Sequence, residues 1–204
     1  MSIGGSSTAA LPQPVCAMTD VPTSAIAANR AARKYPRGEM ARRIVWMIVQ
    51  PFFRLSPRPF FAWRRMLLRR FGAKIGAGVH VYPLATIYFP WNLAVGDWSS
   101  IGEHAYIYNL GPITIGREAT ISQRSHLCAG SHDYARRDMP LLKPPITIGD
   151  HVWICADAFV GPNVNVAEGA IVGARAVAIR DVGAWTIVAG NPAKFIKTRR
   201  MHDA

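Results

Sequence analysis

A six-residue repeat is the feature that most restricts how this chain of 204 residues can fold. Fourteen of its fifteen repeat starts are Ile, Leu or Val, and the fifth position of nearly every unit is small or β-branched. The starts are Ile75, Val81, Ile87, Val95, Ile101, Ile107, Ile115, Ile121, Leu127, Ile148, Ile154, Val160, Val166, Val172 and Ala178. This period fits neither an α-helix nor a sheet of hairpins, and a sandwich of short strands would not keep it for so long. The pattern predicts a parallel β-helix, in which three units of one short strand and one corner make each coil.

Glycines and insertions mark the corners of these units. Glycine fills the second position of seven units, where we expect it to serve tight turns. These glycines are Gly76, Gly96, Gly102, Gly116, Gly149, Gly161 and Gly173. Two extra residues follow the units of Ile87 and Ile107, and fifteen extra residues follow that of Leu127. The longest insertion predicts an extruded loop over 132–145, and a loop of this length in a compact domain is usually functional or disordered. Its aromatic, basic and proline residues favour an ordered functional loop.

The basic residues are concentrated ahead of the repeats. Residues 30–74 hold 13 of the 24 Lys and Arg residues but one acid, so the net charge of +12 describes one segment and not a nucleic-acid-binding surface. We expect a flexible tail over 1–38 and a basic amphipathic helical segment over 39–73, divided into two short helices by Pro51, Pro57 and Pro59. This segment either caps the repeats, packs on a neighbouring subunit, or adsorbs through residues 39–71 to an anionic membrane.

The remaining composition narrows the cellular setting. Half of the residues are hydrophobic, which excludes wholesale disorder. Three cysteines without a CxxC pair predict neither a disulfide framework nor a cysteine zinc site. The first residues lack a basic and then apolar leader, and the longest apolar stretch is about half of what a spanning helix needs. A cytoplasmic location, with or without peripheral contact to the inner membrane face, is therefore expected.

Several motifs resemble those of one family from about Arg42 to Arg199. They are LSPRPFFAWRR (55–65), YNLGPITIG (108–116), CAGSHDY (128–134), PITIGDHVWI (145–154), DAFVGP (157–162) and VAGNPAKFIK (188–197). Together they resemble the hexapeptide-repeat acyltransferases, and most of all the O-acetyltransferases of colanic-acid and related exopolysaccharide biosynthesis. The resemblance implies a left-handed parallel β-helix, homotrimers, active sites between neighbouring subunits, and acetyl-CoA as co-substrate without a metal. We expect an all-β fold in which the helical segment precedes a β-helix domain that spans 74–187. A C-terminal tail (188–204) with a short helix follows this domain.

The chemistry of acetyl transfer directs attention to the GSHDY segment. A base must take the proton of a sugar hydroxyl as it attacks the thioester directly, and imidazole suits this role near neutral pH. His132 matches the family's catalytic histidine; the alternative is a solvated corner histidine. His126, one unit earlier, is either its neighbour in the site or a surface residue. Asp133 either orients the base or caps a turn, and Tyr134 is expected to line the acceptor groove.

Other site residues follow from the resemblance alone. An Asn-Leu pair contacts the acceptor hydroxyl in related sugar acetyltransferases, which implies this role for Asn109 unless its amide only stabilises a turn. For acetyl-CoA, the resemblance implies that a tryptophan and small residues border the pantetheine arm and that lysines neutralise phosphates. The corresponding residues here are Trp153, Ala156, Ala174, Lys194 and Lys197.

The predicted function is acetyl-CoA-dependent O-acetylation of a sugar of a surface polysaccharide or of its lipid-linked precursor. A serine or amino-sugar acetyltransferase of the same fold is the main alternative, because an amine acceptor would change few of these motifs. A zinc enzyme of the carbonic anhydrase type is disfavoured because His126, His132 and His151 lack that family's closely spaced pair. A non-catalytic, membrane-associated scaffold is disfavoured by the GSHDY and GNPAK segments.

Overall fold

The computed structural model describes residues 24–32 and 34–201, so most of the predicted tail lies outside the described residues. Three helices precede the repeats: α1 (Ser24–Ala31), α2 (Arg37–Arg54) and α3 (Phe61–Arg70). Helix α1 lies inside the segment expected to be a flexible tail. It is followed by Tyr35, whose ring packs edge-on against Phe89 of the repeat domain. The described end of the tail is therefore attached to the fold.

The repeats form a solenoid with three parallel sheets, or faces, each built from one strand of every coil. The first face contains β1 (Lys74–Ile75), β4 (Leu93–Val95), β7 (Ile113–Ile115), β12 (Ile146–Ile148) and β15 (Asn165–Val166). The second contains β2 (His80–Val81), β5 (Ser100–Ile101), β8 (Thr120–Ile121), β13 (Trp153–Ile154), β16 (Ile171–Val172) and β18 (Thr186–Ala189). The third contains β3 (Thr86–Ile87), β6 (Tyr106–Tyr108), β9 (His126–Cys128), β14 (Phe159–Val160) and β17 (Val177–Ala178).

The aliphatic repeat positions stack inside this solenoid, as the sequence predicts. On the first face, for example, Ile75 pairs with Val95 and Val95 with Ile115. All fifteen repeat starts are buried. Because each coil lies about 4.8 Å from the next, these side chains form continuous columns that exclude water from the interior. The predicted parallel β-helix is confirmed.

The second-position glycines serve a different purpose from the expected one. A Cβ on Gly96 would lie 2.6 Å from the carbonyl carbon of Gly116 in the next coil, and one on Gly116 would lie 2.6 Å from the nitrogen of Asp150. Five of the seven (Gly76, Gly96, Gly102, Gly116 and Gly149) permit similarly close approach of backbone to backbone. The left-handed conformation falls two residues later, for example at Trp98 and Glu118. Coil spacing, and not the turn itself, therefore requires these glycines.

All three insertions lie at the same corner, between the third and first faces, which we call the third corner. They form a 3-10 turn (Pro90–Asn92), a short turn over 109–112, and a long arm. The arm contains an antiparallel pair, β10 (Ser131–His132) and β11 (Leu141–Leu142). A Cβ on Gly111 would lie 2.4 Å from the carbonyl oxygen of Lys143, so this glycine lets the returning arm lie against the coil.

Helices α2 and α3 cap the open end of the first coil. The guanidinium groups of three α3 arginines donate hydrogen bonds to backbone carbonyls of that coil: Arg64 to Val81, Arg65 to Val79, and Arg69 to Ile75 and Gly76. From α2, the Trp46 indole donates to the carbonyl of Ile87. Every face of the first coil thus has edge carbonyls satisfied by side chains, which protects an otherwise open sheet edge.

Two local predictions for the helices and the tail need correction. Pro51 lies in the last turn of α2 and does not divide it; the helix ends where the Leu55 N–H bonds to the Pro51 carbonyl. The expected C-terminal helix is wrong, because Lys194–Thr198 forms strand β19, antiparallel to β18. The chain reverses at 190–192, and the edge of β18 offers backbone partners that a separate helix would leave unpaired. Within the described ranges, no helix is long and apolar enough to cross a membrane.

Candidate active site

The arm at the third corner presents His132 to solvent on a braced hairpin. The backbone N–H of Asp133 donates to the carbonyl of Pro140 at 3.0 Å, and the N–H of Met139 donates to the carbonyl of Arg136. The side chains of Arg136 and Asp138 form an ion pair at 2.8 Å. These contacts hold the arm in one conformation, so the predicted extruded loop is an ordered element.

A backbone carbonyl determines which nitrogen of His132 is basic. The Nδ1 atom lies 2.7 Å from the carbonyl oxygen of Met139. Because a carbonyl oxygen only accepts, Nδ1 carries the proton in the neutral ring and Nε2 keeps its lone pair. The arrangement therefore orients an exposed imidazole whose free nitrogen is suited to remove a proton. Sequence reasoning could not find Met139, since the group that acts is its main chain.

Asp133 and Tyr134 follow His132 in the arm, and their side chains have different surroundings. The Asp133 carboxylate accepts a hydrogen bond from the N–H of Ala135 at 3.1 Å, which is the turn-capping alternative and not contact with the base. Tyr134 is 90% exposed and has no contact that fixes its ring within the described residues. It remains available to an acceptor or to a neighbouring subunit.

Asn109 points into the fold and not to solvent, and its predicted contact with the acceptor hydroxyl stays a prediction. Its side chain is fully buried. The amide oxygen accepts hydrogen bonds from the N–H groups of Tyr88 and Phe89 at 3.1 and 2.9 Å, and the amide nitrogen donates to the Phe89 carbonyl. The amide therefore links the insertions of two successive coils at the third corner. It stabilises a turn, as in the alternative interpretation, but the turn belongs to the preceding coil.

His126 lies on the third face, at the start of β9, and not in the arm. Its ring packs edge-on against Tyr106 and Phe159, with centroids 5.0 and 5.2 Å away. The Nε2 atom is buried and has no hydrogen-bond partner among the described residues. Burial lowers the pKa of His126, because the charged form would lose its hydration. His126 therefore belongs to an aromatic cluster on the third face, and its predicted place beside His132 in the site stays a prediction.

Three of the five predicted cofactor residues lie near the corner between the second and third faces, the second corner. Ala156 and Ala174 stack there in successive coils, joined by a hydrogen bond from the Arg175 N–H to the Ala156 carbonyl. Trp153 projects from the second face, 45% exposed, with its indole N–H donating to the Ser122 hydroxyl. Small side chains beside a fixed indole leave backbone groups open to an extended ligand.

Two arginines at the second corner were not predicted. Arg124 pairs with Asp157 at 2.7 Å, and Arg175 lies 4.0 Å from the same carboxylate. The hydrogen bonds and charge of Arg124 lower the pKa of Asp157. Arg175 is largely exposed and directly follows Ala174, so it is suited to meet an anion there. Its place one residue after a corner alanine is the sequence feature that could have identified it.

The two predicted lysines lie on β19 but border different cavities. Lys197 lines a cavity of about 610 Å³ with Ile171, Ile187 and Arg200. Lys194 lines a second cavity of about 520 Å³ at the end of the solenoid, beside Val182. Lys197 lies on the second face, which also carries Trp153, whereas Lys194 lies toward the open last coil. Among the described residues, no group of three His, Cys, Asp or Glu side chains could hold a metal ion.

Comparison with known proteins identifies the family. The colanic acid biosynthesis acetyltransferase WcaF of Escherichia coli is 42% identical over 154 residues, which make up 76% of this chain and 85% of that protein. The chain belongs to the hexapeptide-repeat acetyltransferases. A hexapeptide-repeat acetyltransferase from Vibrio cholerae has 25% identity and a TM-score of 0.75, covering 81% of this chain and 95% of that one. No protein-family model matches the chain.

The fold agrees with other members of this group, including the left-handed form of the β-helix. A galactoside acetyltransferase in complex with coenzyme A superposes with a TM-score of 0.75 at 22% identity, covering 87% of this chain and 90% of that one. The chain is thus an acetyltransferase of the hexapeptide-repeat type, as the sequence predicts. Its arm and its second corner are the two places where most of the site residues predicted from the sequence lie.

These two places lie on opposite edges of the third face. The arm leaves the solenoid after β9, at the end of that face, whereas the second corner precedes it. The outward side chains of the third face are also distinctive. They are Thr86, Tyr88, Tyr106, Tyr108, His126, Cys128, Phe159 and Val177, all partly buried. The first face carries mainly Thr, Lys and Asn at the equivalent positions. A single protomer therefore has the predicted base and most of the predicted cofactor residues on two edges of a face whose outward side chains are mostly aromatic or apolar.

Proposed function

We propose that the chain transfers the acetyl group of acetyl-CoA to a sugar hydroxyl in exopolysaccharide biosynthesis, with His132 as the general base. Nε2 of His132 takes the hydroxyl proton while the alcohol oxygen attacks the thioester carbonyl directly, and coenzyme A leaves as the thiol. The fixed Nδ1–H of the ring carries this proposal, because it leaves Nε2 unprotonated and exposed. WcaF, which is named for colanic acid biosynthesis, supports a saccharide acceptor.

We also propose that the site is shared in a homotrimer. If the third face is turned toward a threefold axis, the third corner of one protomer meets the second corner of the next. His132 would then stand opposite Trp153, Ala156 and Ala174 of its neighbour, with Lys197 and Arg175 near the coenzyme A phosphates. The apolar outward side chains of the third face support this arrangement, since homo-oligomer interfaces are enriched in such groups.

The acceptor and location follow from the same proposal. Acetyl-CoA as donor supports a reaction in the cytoplasm. The acceptor is a saccharide, free or lipid-linked, and a lipid-linked acceptor would give residues 39–71 a reason to contact the inner membrane face. This contact would fail as a proposal if the purified protein had no affinity for anionic vesicles and deletion of 39–71 left acetylation in cells unchanged.

Replacing His132 tests the base. For His132→Gln, we expect kcat to fall about 10²- to 10⁴-fold, while the affinity for acetyl-CoA and the melting temperature stay near wild type. His80→Gln is the matched control: His80 is an exposed histidine on the second face of the first coil, where its ring stacks on Phe61, away from the arm and from the second corner. Full activity of His132→Gln would rule out the base.

The acceptor class needs a separate measurement. Mass spectrometry of the polysaccharide from cells with and without the gene should show loss of ester-linked acetyl groups that mild alkali removes. Loss of alkali-stable, amide-linked acetyl groups instead would establish the amino-sugar alternative and leave the role of His132 intact.

A further inference from the structure

Helix α2 carries apolar residues on its outward side as well as on its buried side, where Trp46 and Phe53 pack. Its side toward the solenoid carries Arg42 and Arg43, whose guanidinium groups lie over the rings of Trp91 and Phe89. Its outward side carries an unbroken apolar stripe from Met40 to Leu55, 44–84% exposed. The stripe consists of Met40, Ile44, Val45, Met47, Ile48, Phe52 and Leu55. A contiguous apolar surface of this kind marks an interaction site.

Helix α3 extends this surface. Phe60, Trp63 and Met66 are 39–52% exposed, and the Trp63 indole N–H lies within 3.4 Å of the Phe52 carbonyl, which joins the two helices. We name the seven α2 residues and these three the apolar ridge. Within the described chain, nothing covers it.

The arginines of the segment are largely occupied by the fold. Arg64, Arg65 and Arg69 donate to first-coil carbonyls. Arg58 pairs with Glu103, and Arg42 and Arg43 lie on aromatic rings. The exposed cations that remain near the ridge are Arg37, Arg54 and Arg70. Six of the eight arginines between residues 39 and 73 are therefore engaged by the fold.

The ridge also faces away from the end of the solenoid. Trp46 reaches down to the edge carbonyl of Ile87, so the opposite side of α2 points away from the first coil. A threefold axis along the solenoid, as in the proposed trimer, would place three ridges at the same end of the molecule. Three apolar ridges in one plane match a flat surface better than they match another folded protein.

We propose that the apolar ridge inserts into the headgroup–acyl boundary of a lipid bilayer, so that apolar burial and not charge holds the enzyme on the membrane. This deepens the membrane contact of the proposed function and rests on it. Arg37, Arg54 and Arg70 would lie at the rim, where they meet anionic headgroups. A saccharide carried on a membrane lipid would then reach the arm from the same side.

Vesicle sedimentation with the full chain tests this assignment. We expect binding to neutral phosphatidylcholine vesicles, with a moderate gain when phosphatidylglycerol is added. Raising salt from about 0.1 to about 1 M shortens the screening length from about 10 to about 3 Å, yet should reduce binding less than about threefold, because apolar burial is not screened. Ile48→Ser combined with Phe52→Ser should reduce binding at least about tenfold.

Arg37→Gln combined with Arg54→Gln is the matched control at the rim and should retain most of the binding. The proposal would be overturned in favour of electrostatic adsorption if high salt released the protein from the vesicles. The same conclusion would follow if the rim variant lost more vesicle binding than the ridge variant. Absence of binding by the wild type would overturn it outright, as would a change of oligomeric mass in the ridge variant, which would assign the ridge to a second copy of the chain. His132→Gln should keep full vesicle binding. A failure of the membrane-insertion proposal can therefore be distinguished from a failure of the proposal that His132 is the base.

Discussion

The helical cap and the arm use side chains and backbone in opposite ways. In the cap, side chains serve the backbone: Arg64 and Trp46 donate to edge carbonyls of the first coil. In the arm, the backbone serves a side chain: the carbonyl of Met139 holds the ring of His132. One region is concerned with closing a solenoid and the other with presenting a reactive nitrogen.

This difference separates stability from activity. Arg64 is charged yet fully buried, and its guanidinium also donates to the Ser56 hydroxyl and to the carbonyls of Pro57 and Arg58. His132 is exposed and contributes little packing. We therefore expect changes in the cap to alter unfolding and changes in the arm to alter turnover.

The largest effect on stability is expected at Arg64. Arg64→Met keeps the length of the side chain but removes its donors, leaving several buried carbonyls unpaired. The free energy of unfolding should fall by about 3 kcal/mol or more, with kcat per folded enzyme unchanged. Denaturant titration at fixed protein concentration measures this, with the exposed Arg70→Met as control. A stable Arg64→Met enzyme with reduced kcat would break the distinction between cap and arm.

A substitution at Asn109 should alter stability and not turnover, as we expect for the cap, although Asn109 lies in a predicted site motif. Asn109→Ala leaves the Phe89 N–H without its acceptor and the Tyr88 N–H with the Ile107 carbonyl alone, which should cost about 2 kcal/mol of unfolding free energy. The KM for the acceptor should not change. Asn165→Ala, at an exposed strand position, is the control. A raised acceptor KM without loss of stability would restore the predicted role in acceptor binding.

Asp133 sharpens the comparison within the arm. Asp133→Ala removes the acceptor for the Ala135 N–H, so the turn loosens and His132 is held less well. We expect kcat to fall by up to about tenfold with little change in the melting temperature or in the KM for acetyl-CoA. Asp133→Asn keeps an acceptor oxygen and should recover most of the activity. If both variants were equally impaired, the carboxylate charge itself would matter.

The smallest effect is a pH dependence of stability at His126. Its pKa is lowered in the folded state, so between that value and the unfolded value of about 6.5 the unfolded chain binds more protons. Stability should therefore decrease as the pH falls through this window. His126→Phe preserves packing against Tyr106 and Phe159 and should flatten the dependence. An unchanged slope in urea titrations between pH 5 and 7 would assign it to other groups.

The sequence predicted the repeating part of this molecule far better than its exceptions. The period identified the inward column from Ile75 to Ala178, since burial of one position in six is imposed by the coil itself. It could not show that Gly96 serves coil spacing, because that contact joins residues twenty positions apart. Nor could it place Lys194 on a strand, since the pairing partner is the open edge of the last coil.

The site was predictable only in part for a related reason. Side chains such as His132, Trp153 and Ala174 can be matched to motifs. No sequence motif identifies the carbonyl of Met139 as the partner of His132, because every residue has a carbonyl. The burial of Asn109 depends on how two insertions stack.

The most direct test of the shared site is subunit complementation. His132→Gln removes the base, and Ala174→Trp should block the second corner, so each homotrimer is expected to be inactive. After unfolding and refolding an equal mixture, about a quarter of the sites should combine an intact arm with an intact second corner from the neighbouring protomer. We therefore predict recovery of about a quarter of wild-type activity. Activity no higher than that of the two separate variants, in trimers shown to be mixed, would contradict a site built from two protomers.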